Sequence, residues 1–469
     1  MQSNDLTRHS SFAGFRPDTN PSTGDEIELA SGGVVSHEGD GPQHEIEQTD
    51  LPQPDSGKAA SLFLCACFMV EAMCWALPFS YGVFQDYYSK TPPISLHPDG
   101  IAIVGTCATG ILYLGGTVVY AAINRFPAVQ LYSPLIGVCA MSLGLVLASF
   151  ANTVWQLILT QGVIFGAGGC LLLYTSVHFL DGWFIKRKGF AFGVLCTGNG
   201  VAGATVPFIL DWSLTKYSYR TTLRSWAVII PVLTLPLLPF LKPRIPLPKS
   251  AQPRHVSYRF ILTPTFWLYQ GANILHGLGY FMPAIYLSTY AQQLGFSRSI
   301  GSLLIALVNI ASVFSQLGLG YLVDRLPVST VMLISASGSS LATFAFWGTA
   351  TKFPLLIIFA IAYGAFAGGF TSTYIGMTKE TTAKVGGADS GTVFGLFCVG
   401  RGIGAVASGP LSEALLALNE GRKNGNGGFA RGSLGYGTGY GALIVFTGAS
   451  ALCGGLSFVG RRIKTNRLP

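Results

Sequence analysis

The sequence predicts an all-α membrane protein of twelve transmembrane helices in two pseudo-symmetric six-helix bundles. Three observations predict it. Half of the 469 residues are hydrophobic, only 11% are charged, and the mean hydropathy is +0.48; an ordinary soluble domain carries about 25% charge. Apolar runs of bilayer-crossing length, roughly 20 residues, recur along the chain. Finally, the two halves echo each other. Gly189-Phe-Ala-Phe-Gly-Val-Leu-Cys-Thr-Gly-Asn-Gly200 aligns with Gly391-Thr-Val-Phe-Gly-Leu-Phe-Cys-Val-Gly-Arg-Gly402 at a single offset of 202 residues. Asn124-Arg-Phe-Pro127 pairs with Asp324-Arg-Leu-Pro327, and Pro78-Phe-Ser-Tyr81 pairs more weakly with Pro283-Ala-Ile-Tyr286. A duplicated, strongly apolar chain is the sequence mark of a secondary transporter.

The candidate spans are 59–83, 100–122, 129–150, 154–179, 189–211, 224–241, 264–290, 300–322, 329–349, 353–376, 391–416 and 436–459. They are rich in glycine, with 59 Gly in the chain. In lipid, small residues let helices approach closely where no hydrophobic drive separates helix from tail. All nine Cys fall inside apolar spans, without the spacing of a metal site or a disulfide framework. They read as small apolar fillers, and no cofactor or metal is expected.

Residues 1–58 are polar and acidic and read as a disordered cytoplasmic tail, because they cannot bury enough apolar area to offset the entropy of ordering. Residues 59–241 form the first bundle, 242–263 a basic, Pro-rich connector, 264–460 the second bundle, and 461–469 a basic tail. The net charge of +8 lies in loops rather than in a nucleic-acid-binding face. With a cytoplasmic N-terminus, 19 Lys and Arg fall on the cytoplasmic side, 9 on the other, and Arg401 within a span. Positive-inside bias therefore puts both termini in the cytoplasm. The default location is the cell membrane, multi-pass, with the vacuolar membrane as the alternative.

Ionisable residues deep in spans are expensive, by about 2.5–3.5 kcal/mol on insertion scales, so they point to function. Glu71, His276 and Arg401 lie near mid-membrane, each about twelve residues or roughly 18 Å into its span. Arg401 needs an anion, either a substrate carboxylate held bidentately or a fixed carboxylate such as Glu71. Its repeat partner is the neutral Asn199. Glu71 is placed to carry a proton. His276 could titrate near neutrality, and Asn273 and Asn199 would line the path. Gln270, Asn309 and Gln316 are polar span residues of the kind that hydrogen-bond between helices. Tyr81 and Tyr286, related by the repeat, either flank one central site or pack. Gly320-Tyr-Leu-Val-Asp324-Arg325 closes the eighth span as a gating loop. Asp324 can pair with a cation or a helix terminus in one state and release it in another.

No phosphate-binding loop, His-Glu-x-x-His or nucleophile elbow occurs. An enzyme is therefore not expected, and neither is ATP-driven pumping.

These features resemble the major facilitator superfamily, and within it the fungal branch of the monocarboxylate porter family. The resembling residues are Phe79-Ser-Tyr-Gly-Val-Phe-Gln-Asp-Tyr-Tyr88, Trp183-Phe with Lys186-Arg-Lys-Gly-Phe-Ala-Phe-Gly193, Tyr219-Arg-Thr-Thr-Leu-Arg224, Gly320 to Arg325, Arg401-Gly-Ile-Gly, and Ser408-Gly-Pro-Leu-Ser-Glu413. The resemblance implies alternating access about a central cavity, by a chain acting as a monomer. The cargo would be a monocarboxylate-like anion or an exported secondary metabolite, with proton coupling. The family's animal lactate carriers use an Asp and an Arg on the eighth span; alignment on Gly320 puts Ser312 and Gln316 there instead. The other reading is a non-transporting sensor that signals through the N-terminal tail.

Overall fold

The computed structural model describes residues 52–96, 99–246, 256–420, 435–458 and 460. Most of the predicted tail, part of the connector, most of the glycine-rich loop after Asn419 and residues 461–469 lie outside the described residues. Every regular element among the described residues is helical.

Among the described residues, eleven helices are long and apolar enough to cross a bilayer. They are α1 (Lys58–Lys90), α2 (Ile101–Arg125), α3 (Val129–Ala148), α4 (Val154–Trp183), α5 (Lys188–Lys216), α6 (Tyr219–Phe240), α8 (Ser299–Val323), α9 (Val328–Trp347), α10 (Phe353–Thr382), α11 (Ser390–Leu418) and α12 (Gly441–Phe458). A further helical segment at the place of the predicted seventh span, α7, consists of Pro264–Tyr280 and Met282–Gln293 on either side of Phe281, each too short alone to cross a bilayer. The first helix of each half is thus interrupted, α1 at Ser80 and α7 at Phe281. Each break lies two residues from a repeat-related proline, Pro78 or Pro283, whose ring cannot continue the i→i−4 ladder.

The halves meet along two equivalent seams, α5 against α8 and α2 against α11. Glycine makes the first seam possible. A Cβ on Gly189 would stand 2.6 Å from the Gly320 carbonyl oxygen, and one on Gly193 would collide with the carbonyl of Gln316. Backbone meets backbone there, which replaces hydrophobic drive by close packing.

We call the end where α1 begins the basal end. The larger core cluster joins the halves on that side. It runs from Phe63, Leu112 and Phe192 through Phe370, Tyr374 and Phe394. A second cluster, around Met282, Leu304, Trp347 and Tyr440, lies within the second half alone. The protein is therefore closed at its basal end. Apolar residues such as Leu135, Ile136, Val228, Val232, Phe314 and Leu341 remain exposed on the outer faces, as a lipid-facing surface requires.

Candidate functional site

The break in α7 follows His276 by just over one helical turn, and that in α1 follows Glu71 by more than two. Arg401 on α11 is fully buried. Its Nη1 donates to His276 Nδ1 on α7 at 2.8 Å. An arginine can only donate, so that imidazole nitrogen carries no proton. The guanidinium sits among aromatic rings, with Cζ 3.8 Å from the Tyr280 centroid, 5.2 Å from Phe281 and 5.9 Å from Phe370. His276 itself stacks on Phe370 at 4.0 Å. Arg401 Nε is buried and has no hydrogen-bond partner.

Glu71 does not supply the missing anion. The ion pairs Lys90–Asp86 and Lys188–Asp181 lie toward the ends of their helices and involve neither Glu71 nor Arg401. Glu71 is instead bound by Asn199, whose Nδ2 donates to the carboxylate at 3.0 Å. Trp75, one turn along α1, also faces that carboxylate. Asn199 Oδ1 in turn accepts from Gln316 Nε2 at 3.0 Å. Gln316 is on α8, so the chain Glu71–Asn199–Gln316 crosses from one half to the other. Gln316 Oε1 is buried without a partner.

The two constellations are copies. The offset of 205 that relates Pro78 to Pro283 also relates Glu71 to His276 and Trp75 to Tyr280. The offset of 202 relates Asn199 to Arg401. Each half therefore holds one polar pair between its first and fifth helix, backed by an aromatic ring one turn away.

Other predicted residues are used within the scaffold. Asn273 is fully buried and satisfied, donating to the Phe397 carbonyl at 2.7 Å and accepting from Tyr374 at 2.8 Å. Tyr81 donates to the Ile101 carbonyl at 2.6 Å. The Tyr286 hydroxyl accepts from Ser412 at 3.0 Å. Gln270 donates to the Leu396 carbonyl and Asn309 to the carbonyls of Gly203 and Ile305. Ser312 returns to the carbonyls of its own helix.

The gating loop sits on the basal seam. Asp324 accepts from the backbone N–H groups of Gly189 at 2.7 Å and Phe190 at 2.8 Å, at the start of α5. A helix N-terminus leaves such donors free and favours an anion. Gly320 provides the close approach below it, and Arg325 turns away to cover Tyr321, 4.5 Å from its ring centroid. In the other seam Asn124 donates to Asp389 at 3.0 Å and Thr392 at 3.3 Å, at the start of α11. Asp389 also caps that helix through the Thr392 N–H at 2.7 Å. Each seam thus holds one carboxylate, on α8 in the first and on α11 in the second.

The last of the predicted tail is described. Asp55 accepts from the N–H groups of Ile185, Lys186 and Arg187 at 2.9–3.1 Å in the α4–α5 turn. Partial burial works against its charge, but those N–H groups and the Lys186 ammonium hold its carboxyl below the ordinary range. The residues on which a sensor role would rest lie outside the described residues.

Sequence reasoning missed Trp75, Tyr113, Tyr280, Phe281 and Asp389. A signal for two of them was present. Trp75 and Tyr280 stand four residues after Glu71 and His276, one helical turn on the same face, at the same repeat offset. A cavity of about 40 Å³ lies among Tyr280, Pro283, Asn309 and Tyr363, on the scale of one or two waters.

The Major Facilitator Superfamily model matches residues 270–466. Over 405 residues the chain is 25% identical to the MFS-type transporter pynF of Aspergillus niger, covering 82% of this chain and 92% of that protein. Over 425 residues it is 27% identical to the Fujikurins efflux protein of Gibberella fujikuroi, covering 88% and 84%. The solved structure of the transporter FucP in its outward conformation superposes with a TM-score of 0.61 at 12% identity, over 86% of this chain and 98% of that one. The fold is the major facilitator fold.

Proposed function

We propose that this chain, a multi-pass secondary transporter of the major facilitator type, exports a small organic anion, with Arg401 as its anion site. The observation that carries the reading is the fully buried guanidinium whose Nε has no acceptor and which forms no ion pair with a carboxylate among the described residues. A buried cation without a counter-ion is costly, by several kcal/mol per ion, and a transported acid offsets that in the loaded state. Efflux is the direction carried in the names of relatives such as the Fujikurins protein. A monocarboxylate is the simplest acid that fits one guanidinium.

Coupling would run through Glu71. As a carboxylate it accepts from Asn199 Nδ2, and Asn199 Oδ1 accepts from Gln316. Once protonated, Glu71 becomes a donor and needs an acceptor. Turning the Asn199 amide over supplies its Oδ1 and leaves Nδ2 facing Gln316, whose amide must turn as well to present its free Oε1 as the acceptor. The proton state of Glu71 in one half is thereby read by a side chain of the other. His276 would keep Arg401 oriented, because its unprotonated Nδ1 takes one of the five donors. Asn273, Tyr81 and Tyr286 serve the site as scaffold.

The basal seams would form the gate. Asp324 and the Asn124–Asp389 pair hold α5 and α11 while that end is closed, and break when the halves rock. Both termini would then lie in the cytoplasm and the chain would work as a monomer in the cell membrane. The test is flux. Metabolites of cells with and without the gene identify the cargo, and its transport is then measured in proteoliposomes. Arg401→Ala should abolish it; unchanged flux and unchanged pH dependence would refute the anion site.

A further inference from the structure

The polar pairs do not touch each other; what joins them is a run of aromatic rings. Trp75 on α1 lies 4.7 Å from Tyr113 on α2, centroid to centroid, with planes at 47°. Tyr113 meets Phe281 edge to face at 6.3 Å and 71°. Phe281 meets Tyr280 edge to face at 5.0 Å, and their ring centroids lie 5.2 and 3.8 Å from the Arg401 Cζ. Trp75 and Tyr113 belong to the first half, Phe281 and Tyr280 to the second. The Tyr113–Phe281 contact therefore crosses the centre of the molecule, at the break of α7. The Tyr113 hydroxyl makes no hydrogen bond among the described residues.

Any motion that separates the halves parts Tyr113 from Phe281. It bares ring faces on both walls while leaving a guanidinium beside them. Those faces carry the negative side of the aromatic quadrupole and prefer ring edges or offset stacks to water. The guanidinium Nε, unpartnered when closed, requires an acceptor when the site fills. An aliphatic acid would answer the charge but not the rings, and a neutral arene would answer the rings but not the charge.

We propose that the cargo is a planar, conjugated organic acid. Its ring system would be held between the Trp75–Tyr113 wall and Phe281, with its acid group on Arg401. The closed state is then one in which the protein's own rings occupy the place of the guest. This rests on the assignment of Arg401 as the anion site, and it adds three specificity residues, Trp75, Tyr113 and Phe281.

The experiment uses purified full-length protein and three probes of matched skeleton: 2-naphthoate, the saturated decahydro-2-naphthoate, and neutral 2-naphthalenemethanol. Affinity is read by calorimetry on wild type, Tyr113→Leu and Phe281→Leu, each checked for a monodisperse elution peak. The expected result is 2-naphthoate binding tighter than both other probes by about tenfold or more, as several aromatic contacts together allow. Either Leu variant should bring the two acids to within about threefold of each other by weakening naphthoate alone. Two variants at separate walls keep the test alive if one does not fold. Equal affinity for both acids in wild type, with no binding of the alcohol, overturns the aromatic assignment and leaves Arg401 standing. An alcohol that binds as well as naphthoate removes the Arg401 assignment, and the acid named here goes with it. Absence of naphthoate binding at millimolar concentration overturns the proposal outright.

Discussion

Arg401 donates to His276 at 2.8 Å in the second half, at the place where Asn199 donates to Glu71 at 3.0 Å in the first. The contact is the same and its charge is opposite. One copy holds a cation with a neutral acceptor, the other an acid with a neutral donor. The repeat aligns the two contacts, and the residues differ at both aligned positions, Glu71 against His276 and Asn199 against Arg401; under the proposed function one half would serve an anionic cargo and the other a proton.

Arg401→Lys tests whether the planar fork matters as well as the charge. Lysine keeps the cation but loses the planar group seated against Tyr280 and the paired donors. We expect flux of the identified cargo in proteoliposomes to fall by roughly tenfold or more in Arg401→Lys, and to vanish in Arg401→Ala. Lysine that transports like wild type would leave a simple point charge as the only requirement.

Glu71→Gln fixes the neutral form of the proposed proton carrier. Transport driven by a pH gradient should disappear, while binding of cargo stays within about threefold of wild type, because Arg401 is untouched. Asn199→Leu should uncouple in the same way by cutting the link to Gln316. The measurement is flux with and without an imposed gradient. A Glu71→Gln protein that still responds to the gradient would place the coupling group elsewhere.

Asp324→Asn puts an amide where two N–H groups at the start of α5 need an acceptor for each. Removing a charge from a helix N-terminus costs about 0.5–2 kcal/mol, so the closed basal end should lose population by roughly threefold to thirtyfold. Cys196 and Cys398 are buried in the closed form, and maleimide labelling of either should accelerate accordingly. An unchanged labelling rate would show that Asp324 does not hold the gate.

Asp55 gives a prediction on pH. Its folded-state carboxyl is held below the ordinary value of about 3.9. The stability it contributes is therefore complete above that value and is lost only as pH falls through the lower folded one. Hydrogen exchange of the Ile185, Lys186 and Arg187 amides should stay slow at pH 5 and speed up only in stronger acid. In Asp55→Ala they should exchange fast at neutral pH, and protection that survives the substitution would mean the turn needs no carboxylate.

The sequence by itself determined the class of this protein. Apolar run lengths, the charge deficit and the ordered echoes are one-dimensional properties, and a bilayer turns them directly into helical spans because lipid offers no partner for a free backbone group. Depth along a span is likewise linear, so Glu71, His276 and Arg401 could be singled out by position alone.

Only the tertiary structure decided which polar residue meets which. Asn273 and Tyr81 have the same chemistry as groups that could bind cargo, yet neighbouring helices use up their donors. Glu71 and Arg401, the one obvious ion pair, are kept apart and given neutral partners. Helix rotation and crossing distance set those outcomes, through glycine contacts such as Gly193 against Gln316. The aromatic bridge from Trp75 to Phe281 was hidden for the same reason: aromatic residues are abundant in membrane helices, and only packing shows which of them face one another across the centre.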